Sequence, residues 1–426
     1  MTIQDQGNGK GSNGPDGSNG NGNGNGNGDT DGGNAVEIVH WWTAGGEKEA
    51  LSALLEGFQE AYPDVEVENN PAPGGAGSAL DTVIKNRVLN EDPPSTFQIW
   101  PGKALFPYTD ADLLNNISDS VWSENGMTDT YLDGVQEAAK GGTDQFVSVP
   151  INIHRLNNLF YNVEVVEKAG VDPTDIDDPE QLLDALDTIA QETDATPMAQ
   201  QTQSPWSTVQ LWEMVFLGQQ GVGAYETFLA GDVASMESEV TASLQLLVDY
   251  SEYYPGDAGS ISWDQANAQV IEGDAAVIHQ GDWAAGQYRA TDGFEYDSGW
   301  RNVAFPGTDG VYSLVMDSFV YPTNNPSPEA TEKFLRYAGT ADAQRRFNVP
   351  KGSIPPRTDV SMDEFGPFLR DQADDFENSN EQPPTIAHGS GVIPEVKSNI
   401  EDAFASFLES GDVDATYDQL ESAFDV

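Results

Sequence analysis

The sequence predicts an α/β protein built on a parallel sheet, and three observations carry that prediction. Val36, Ile38 and Val39 make a short apolar strand. After a Gly turn, Leu51, Leu54, Leu55, Phe58 and Tyr62 recur at helical spacing, and Val65 and Val67 open a second strand. Strand, helix and strand of this length form a βαβ unit, whose two strands run parallel. Residues 35–426 show no internal repeat and no linker, so the body reads as one continuous assembly.

The elements follow in order. The first helix spans Glu47 to Tyr62 and stops at Pro63, which cannot continue the ladder. A second carries Leu80, Val83, Ile84 and Val88, and a strand over Phe97–Ile99 follows Pro93-Pro94. Asp178-Pro179-Glu180-Gln181 is a helix start, with Pro at the first position and a capping-box Gln. Leu182, Leu183, Leu186 and Ile189 are its buried face. Further helices are expected from about Thr241 to Tyr253, Pro328 to Gly339 and Pro394 to Glu409, the last with Val396, Ile400, Phe404, Phe407 and Leu408 on one stripe. Residues 1–34 are Gly, Asn, Asp and Ser with little to bury, a composition expected of a flexible tether. They hold neither a hydrophobic signal segment nor a lipid-accepting cysteine, so the expectation is a processed form, held at the outer face of the cytoplasmic membrane.

The chain has 71 Asp plus Glu against 18 Lys plus Arg, a formal net charge of −53. Such a surface repels nucleic acid and anionic lipid. Nine Trp, fourteen Tyr and eighteen Phe argue for a packed core rather than disorder. In molar salt the Debye length falls to about 3 Å, which screens repulsion between surface carboxylates, so the composition points to a halophile. No run approaches the roughly 18 apolar residues of a spanning helix. With no cysteine, disulfides, thiolate metal sites and thiol catalysis are excluded. Four histidines, His40, His154, His279 and His388, lie far apart in sequence, and neither a metal nor a cofactor is expected.

Catalytic signatures are missing: no Walker-type loop, GxSxG turn, HExxH helix or GxGxxG fingerprint occurs. The Gly-rich run Pro73-Gly74-Gly75-Ala76-Gly77-Ser78 precedes a helix but lacks the Lys of a phosphate loop and reads as a turn. Seventy-one acids offer many carboxylate pairs, which keeps open a secreted glycoside-acting enzyme as the alternative function. More specific is His40-Trp41-Trp42-Thr43-Ala44-Gly45-Gly46-Glu47, which sets two indoles at a strand end and a carboxylate on the next helical turn. Ligands of open α/β sheets collect at the carboxyl ends of strands. A sugar offers C–H faces to aromatic rings and hydroxyls to acids, amides and amines. Strand alternation lets only one of Trp41 and Trp42 face a given side.

The stretch Val36–Glu47 resembles the start of the glucose-binding proteins of ABC transporters, within the family 1 extracellular solute-binding proteins, here of haloarchaeal type. Four more segments agree in order: Val149-Pro150-Ile151-Asn152-Ile153-His154-Arg155, Gly281-Asp282-Trp283-Ala284-Ala285-Gly286, Lys351-Gly352-Ser353-Ile354-Pro355 and His388-Gly389. The resemblance implies a periplasmic-binding-protein-like fold of type II, two α/β lobes joined by a three-segment hinge near Pro150, Tyr312–Asp317 and Val349–Pro355. Residues 35–150 plus 316–348 would form the N-terminal lobe, and 151–315 plus 349–426 the C-terminal lobe. It implies a monomeric extracellular binder, not an enzyme, that delivers a glucose-like monosaccharide to a permease; a disaccharide or polyol is the variant reading. Sugar contacts carried over from the family are Trp42, Glu47, Gln98, Trp263, Trp283, Asp317, Lys351 and His388, with Trp41, Trp100, His154 and Asp282 as additional candidates. Trp100 stands where relatives often carry a smaller or polar group, so it would narrow the pocket or alter which epimer fits.

Overall fold

Gly45, at φ +52°, turns the chain out of its first strand and starts the Gly45–Ala61 helix, a conformation that costs glycine little. The computed structural model describes residues 34–72 and 78–426. The tether expected over most of 1–34 and the Gly-rich turn before Ser78 lie outside the described residues. The helix buries Gly46, Ala50, Leu51, Leu54 and Phe58 and stops at Tyr62, just before Pro63. Among the other expected helices, Pro179–Glu192 begins as its sequence indicates: Gln181 N–H donates to the Asp178 carboxylate at 2.8 Å. Helices Glu237–Ser251, Pro328–Ala338 and Pro394–Ser410 fall within a few residues of expectation.

A five-stranded sheet has the order β2-β1-β3-β11-β4, with β1 Ala35–His40, β2 Glu66–Pro71, β3 Thr96–Ile99, β4 Ser148–Pro150 and β11 Ser318–Val320. β1 pairs parallel with β2 and β3, as the βαβ unit requires. The sheet is nevertheless mixed, because β11 runs antiparallel to both β3 and β4. The chain leaves this sheet along β4 and re-enters beside it along β11, so the two directions must oppose. A second, four-stranded sheet has the order β7-β8-β6-β9, from β6 Asn158–Asn162, β7 Thr196–Met198, β8 Ala275–Gln280 and β9 Trp300–Ala304. Each sheet has its own apolar core, one around Val36, Leu54, Phe319 and Phe334, the other around Leu159, Trp212, Val277 and Phe404.

Three chain crossings lie side by side between the sheets. β5 His154–Arg155 pairs antiparallel with β10 Leu314–Val315. On its other flank, Ile153 and Ile354 exchange backbone hydrogen bonds of 2.8 and 3.0 Å. The third crossing differs in one respect from expectation: a helix, Ala341–Lys351, runs through Val349 and ends only at Gly352, φ +87°. The helical stretch Pro205–Leu229 is broken by a kink at Gly221, φ +78°, and its first part is not legible as a periodic pattern, because Trp206 through Leu217 are all buried and no polar face marks the turn.

Near these crossings Gly46 meets Gly286 and the end of the Ala341–Lys351 helix. A methyl group on Gly46 would stand 2.5 Å from the Pro350 carbonyl oxygen and 3.1 Å from Gly286 Cα. Gly134 is different, with open space around its position in the Asp133–Ala139 helix. Gly46→Ala is therefore predicted to destabilise the protein by about 1–3 kcal/mol through overpacking. Gly134→Ala should be neutral or stabilising by up to about 1 kcal/mol. Denaturant titration of both variants in molar KCl measures the difference.

Candidate functional site

The carboxyl end of β1, the start of the Gly45–Ala61 helix and the hinge crossings enclose a cavity of about 230 Å³ between the two sheets. From the first sheet's side come Trp41, Glu47 and Trp100. From the second come Trp206, Trp263 and Trp283, and the crossings and the late loop supply His154, Asp317, Lys351 and His388. Of the residues expected to meet ligand, Glu47, Trp263, Trp283, Asp317, Lys351, His388, Trp41, Trp100 and His154 share this cavity.

Trp42, Gln98 and Asp282 do not line it. Trp42 is 1% exposed and packs in the first core, its ring centroid 4.8 Å from Phe347 and 5.7 Å from Phe319. Strand alternation sends Trp41 to the cavity instead, where it touches Trp100 at 5.0 Å. Gln98 stands one layer behind, accepting from Trp41 N–H at 3.1 Å and donating to Asp317 Oδ1 at 3.0 Å. Asp282 is wholly buried behind His154, hydrogen-bonded to its Nδ1 and accepting from Arg155 N–H at 3.1 Å. Trp206, Gln201, Gln203, Ser262 and Asp264 also line the cavity. Two of these had a readable signal. Trp206 follows Ser204-Pro205, a helix start after β7, and Asp264 sits beside Trp263 on the first turn of the Trp263–Glu272 helix. Both repeat the arrangement of aromatic, turn and helix start seen at Trp41–Glu47.

The polar groups form two clusters. Lys351, 2% exposed, donates to Glu47 Oε1 at 2.8 Å, and further N–H donors remain on its ammonium. Burial pushes the Glu47 carboxyl up, against the pull of Lys351. In the second cluster the Asp317 carboxylate accepts from Gln98 Nε2 and, at 2.8 Å, from Asn152 Nδ2. Each of its oxygens retains a lone pair for a ligand hydroxyl. Burial holds His154 well below the usual imidazole range, and His388 is lowered to about 3 by burial and then by Lys397 and Lys351. Both rings are therefore neutral at ordinary pH. His388 Nδ1 is buried with no hydrogen-bond partner among the described residues. Its ring stands 5.1 Å from Trp283 and 5.6 Å from Trp100, joining the indoles of the two sides.

Comparison with known proteins decides the class. Residues 53–369 match the family described as bacterial extracellular solute-binding proteins. The chain belongs to that family. It is an ABC-transporter solute receptor, extracellular or periplasmic, and not an enzyme; the glycoside-acting alternative falls on this finding. The receptor is 41% identical to the xylose/arabinose-binding protein XacG of Haloferax volcanii over 390 residues, covering 91% of this chain and 84% of the relative. It is 35% identical to an uncharacterized ABC transporter extracellular-binding protein of Pyrococcus horikoshii, covering 91% and 87%. Its fold matches that of the bacterial solute receptor AcbH, described as exclusive for β-D-galactopyranose, with TM-score 0.78 at 17% identity over 92% of this chain and 98% of that one.

The segment before His388 is fastened from below. Glu213 is fully buried on the Pro205–Leu229 helix and accepts from Ile386 N–H at 2.8 Å, Ala387 N–H at 3.3 Å and Tyr225 O–H at 2.7 Å. Burial pushes its carboxyl up to about 7. A carboxyl raised in the folded state contributes stability that is full below its unfolded value and lost as pH rises through the folded one. The window for Glu213 therefore runs from 4.5 to about 7. Thermal melts of Glu213→Gln and wild type across pH 4–8.5 in molar salt should differ in slope. The variant is predicted to gain roughly 3 kcal/mol relative to wild type between the two ends.

Proposed function

We propose that the receptor binds a neutral monosaccharide in the 230 Å³ cavity and closes its two lobes on it. The observation that carries this reading is the lining: five of the chain's nine Trp face one cavity together with Glu47, Asp317 and Lys351. Indole faces suit C–H surfaces of a pyranose, while the charged groups suit its equatorial hydroxyls. The XacG relative favours an aldopentose such as xylose or arabinose, and glucose remains in the same size class. The lobes are taken as 35–150 plus 316–348 and 151–315 plus 349–426, with the third crossing completed at Gly352. Closure is a population shift, driven by contacts that exist only when ligand bridges both lobes. Delivery to the partner permease, a Gly/Asn-rich tether and a high-salt habitat complete the reading.

Charge narrows the ligand further. Glu47, Asp264 and Asp317 face the cavity against the single ammonium of Lys351, and the two imidazoles are neutral. An anionic sugar would meet net repulsion at short range. A second reading, a disaccharide, is supported by an apolar cavity of about 320 Å³ that shares Trp41 and Trp100 with the first.

A thermal-shift panel in molar KCl tests these choices. Xylose, arabinose or glucose should raise the melting temperature, and ligand at 100 times Kd should add about 2.7 kcal/mol. Glucuronate and sugar phosphates should give no shift, and a larger response to maltose than to any monosaccharide would select the disaccharide. Asp317→Ala and Lys351→Ala should abolish the shift without unfolding the protein, although each leaves buried partners unpaired and should lower the ligand-free melt. Normal binding by both variants would remove the site from this cavity.

A further inference from the structure

The described crossings share one side chain that none of the sequence motifs singles out for ligand contact. Asn152 lies in the first crossing and is wholly buried. Its Oδ1 accepts from Asp317 N–H at 2.7 Å, which fixes the orientation of the amide and leaves Nδ2 as the donor. One Nδ2 proton goes to Asp317 Oδ2 at 2.8 Å and the other to His154 Nε2 at 3.0 Å. Because Nε2 accepts, the proton of the neutral ring sits on Nδ1 and points to Asp282. The result is an unbroken chain from the first sheet through the crossings to the segment after β8: Gln98, Asp317, Asn152, His154, Asp282, Arg155 N–H.

We infer that Asn152 is the positioning residue of the binding site, holding the Asp317 carboxylate and the His154 tautomer in the one arrangement that grips ligand. This rests on the proposed binding cavity, since Asn152 itself acts through its two neighbours. Without the Asn152 donor, the Asp317 carboxylate keeps a single side-chain hydrogen bond among the described residues, from Gln98, and is free to rotate away from the ligand hydroxyl. His154 would lose the donor that makes Nε2 an acceptor. The geometry makes the amide irreplaceable by a carboxylate of the same shape. An acid at position 152 would face Asp317 Oδ2, leaving two carboxylates in contact unless they share a proton. The other charged or titratable groups around the pair include His154, Asp282, Lys351 and Glu47, with His388 beyond His154 and Arg155 beyond Asp282.

The test compares wild type, Asn152→Ala and Asn152→Asp, with xylose and glucose as probes, by calorimetry at pH 5.5 and 8 in molar KCl. Asn152→Ala should weaken binding about 10- to 100-fold at both pH values, the usual cost of losing a hydrogen bond to a charged group. Asn152→Asp should lose at least as much at pH 8 and recover most of it at pH 5.5, where a shared proton restores the donor. Nitrogen-15 NMR of the ligand-free proteins reads the second arm. Wild-type His154 should show the Nδ1–H neutral tautomer, and Asn152→Asp at pH 8 should move it to the imidazolium, held between two carboxylates. An unchanged His154 spectrum, or Asn152→Asp binding as tightly as wild type at pH 8, overturns the inference. Wild type that shows the expected tautomer but binds neither sugar would overturn the proposed ligand and leave Asn152's positioning of His154 standing on the NMR result.

Discussion

Asp317 is the group on which the site depends, because it is a carboxylate buried where the chain passes between lobes. A buried carboxylate is tolerated only when donors surround it. Its donors come from two places: Gln98 at the end of a first-sheet strand and Asn152 in the neighbouring crossing. Its backbone is tied as well, with Ile151 N–H donating to Asp317 O at 2.9 Å. Register at the crossings therefore has a polar reason in addition to the β5–β10 pairing. A one-residue slip would turn the carboxylate toward a core with no donors to receive it. The same donors leave the outer lone pairs of Asp317 unused, which lets one side chain serve the fold on one edge and the proposed ligand on the other.

Much of this was legible from residue order alone. The βαβ start, the helix caps and the apolar stripes are local signals, and they placed most elements to within a few residues. One wall of the cavity was legible in two indoles set before an acid at a strand end, Trp41-Trp42 and Glu47; Trp263 and Trp283 came only with the family resemblance, and Trp100 as a departure from it. Four things were not. The choice between Trp41 and Trp42 depends on strand phase at the end of β1, where one residue of shift reverses the answer. Gln98 and Asp282 carry the right chemistry but act from behind the lining, a distinction set by depth and not by spacing. Asn152 looks like any amide in a loop until two crossings come side by side. The long buried helix hid for the opposite reason: uniform apolarity carries no period.

Charge is distributed with a clear division of labour. Many of the few cations hold structural ion pairs: Arg87 with Glu37 at 2.5 Å, Arg155 with Asp375 at 2.7 Å, Arg357 with Asp359 at 2.7 Å, and Arg346 with both Glu60 and Asp342. Arg155, nearly buried beneath the hinge, joins the first crossing to the late part of the chain through Asp375 and the Val311 carbonyl. In a protein of net charge −53 these contacts serve as staples against surface repulsion. Exposed pairs of this kind weaken in salt, but the repulsion they oppose weakens as well. The nearly buried Arg155 and Lys351 are least affected, and those two lie at the hinge and the cavity.

The cavity itself is built to be incomplete without ligand. Glu47 and Lys351, from two helices packed side by side, satisfy one another in part, the Asp317 oxygens keep lone pairs beyond their protein donors, and His388 Nδ1 has no partner among the described residues. Drawing the lobes together over dry carboxylates would cost desolvation with nothing to replace the lost water hydrogen bonds. On the proposed reading, the hydroxyls of a sugar would supply donors to the acids and an acceptor to the ammonium at the moment water leaves. Polar complementarity then falls hardest on analogues that lack a single hydroxyl, because each missing group strands a buried charge. If the five indoles lining the cavity stack on that sugar as proposed, they would add affinity with little regard for which epimer is present, and selectivity would reside in the few polar atoms whose positions the hinge fixes.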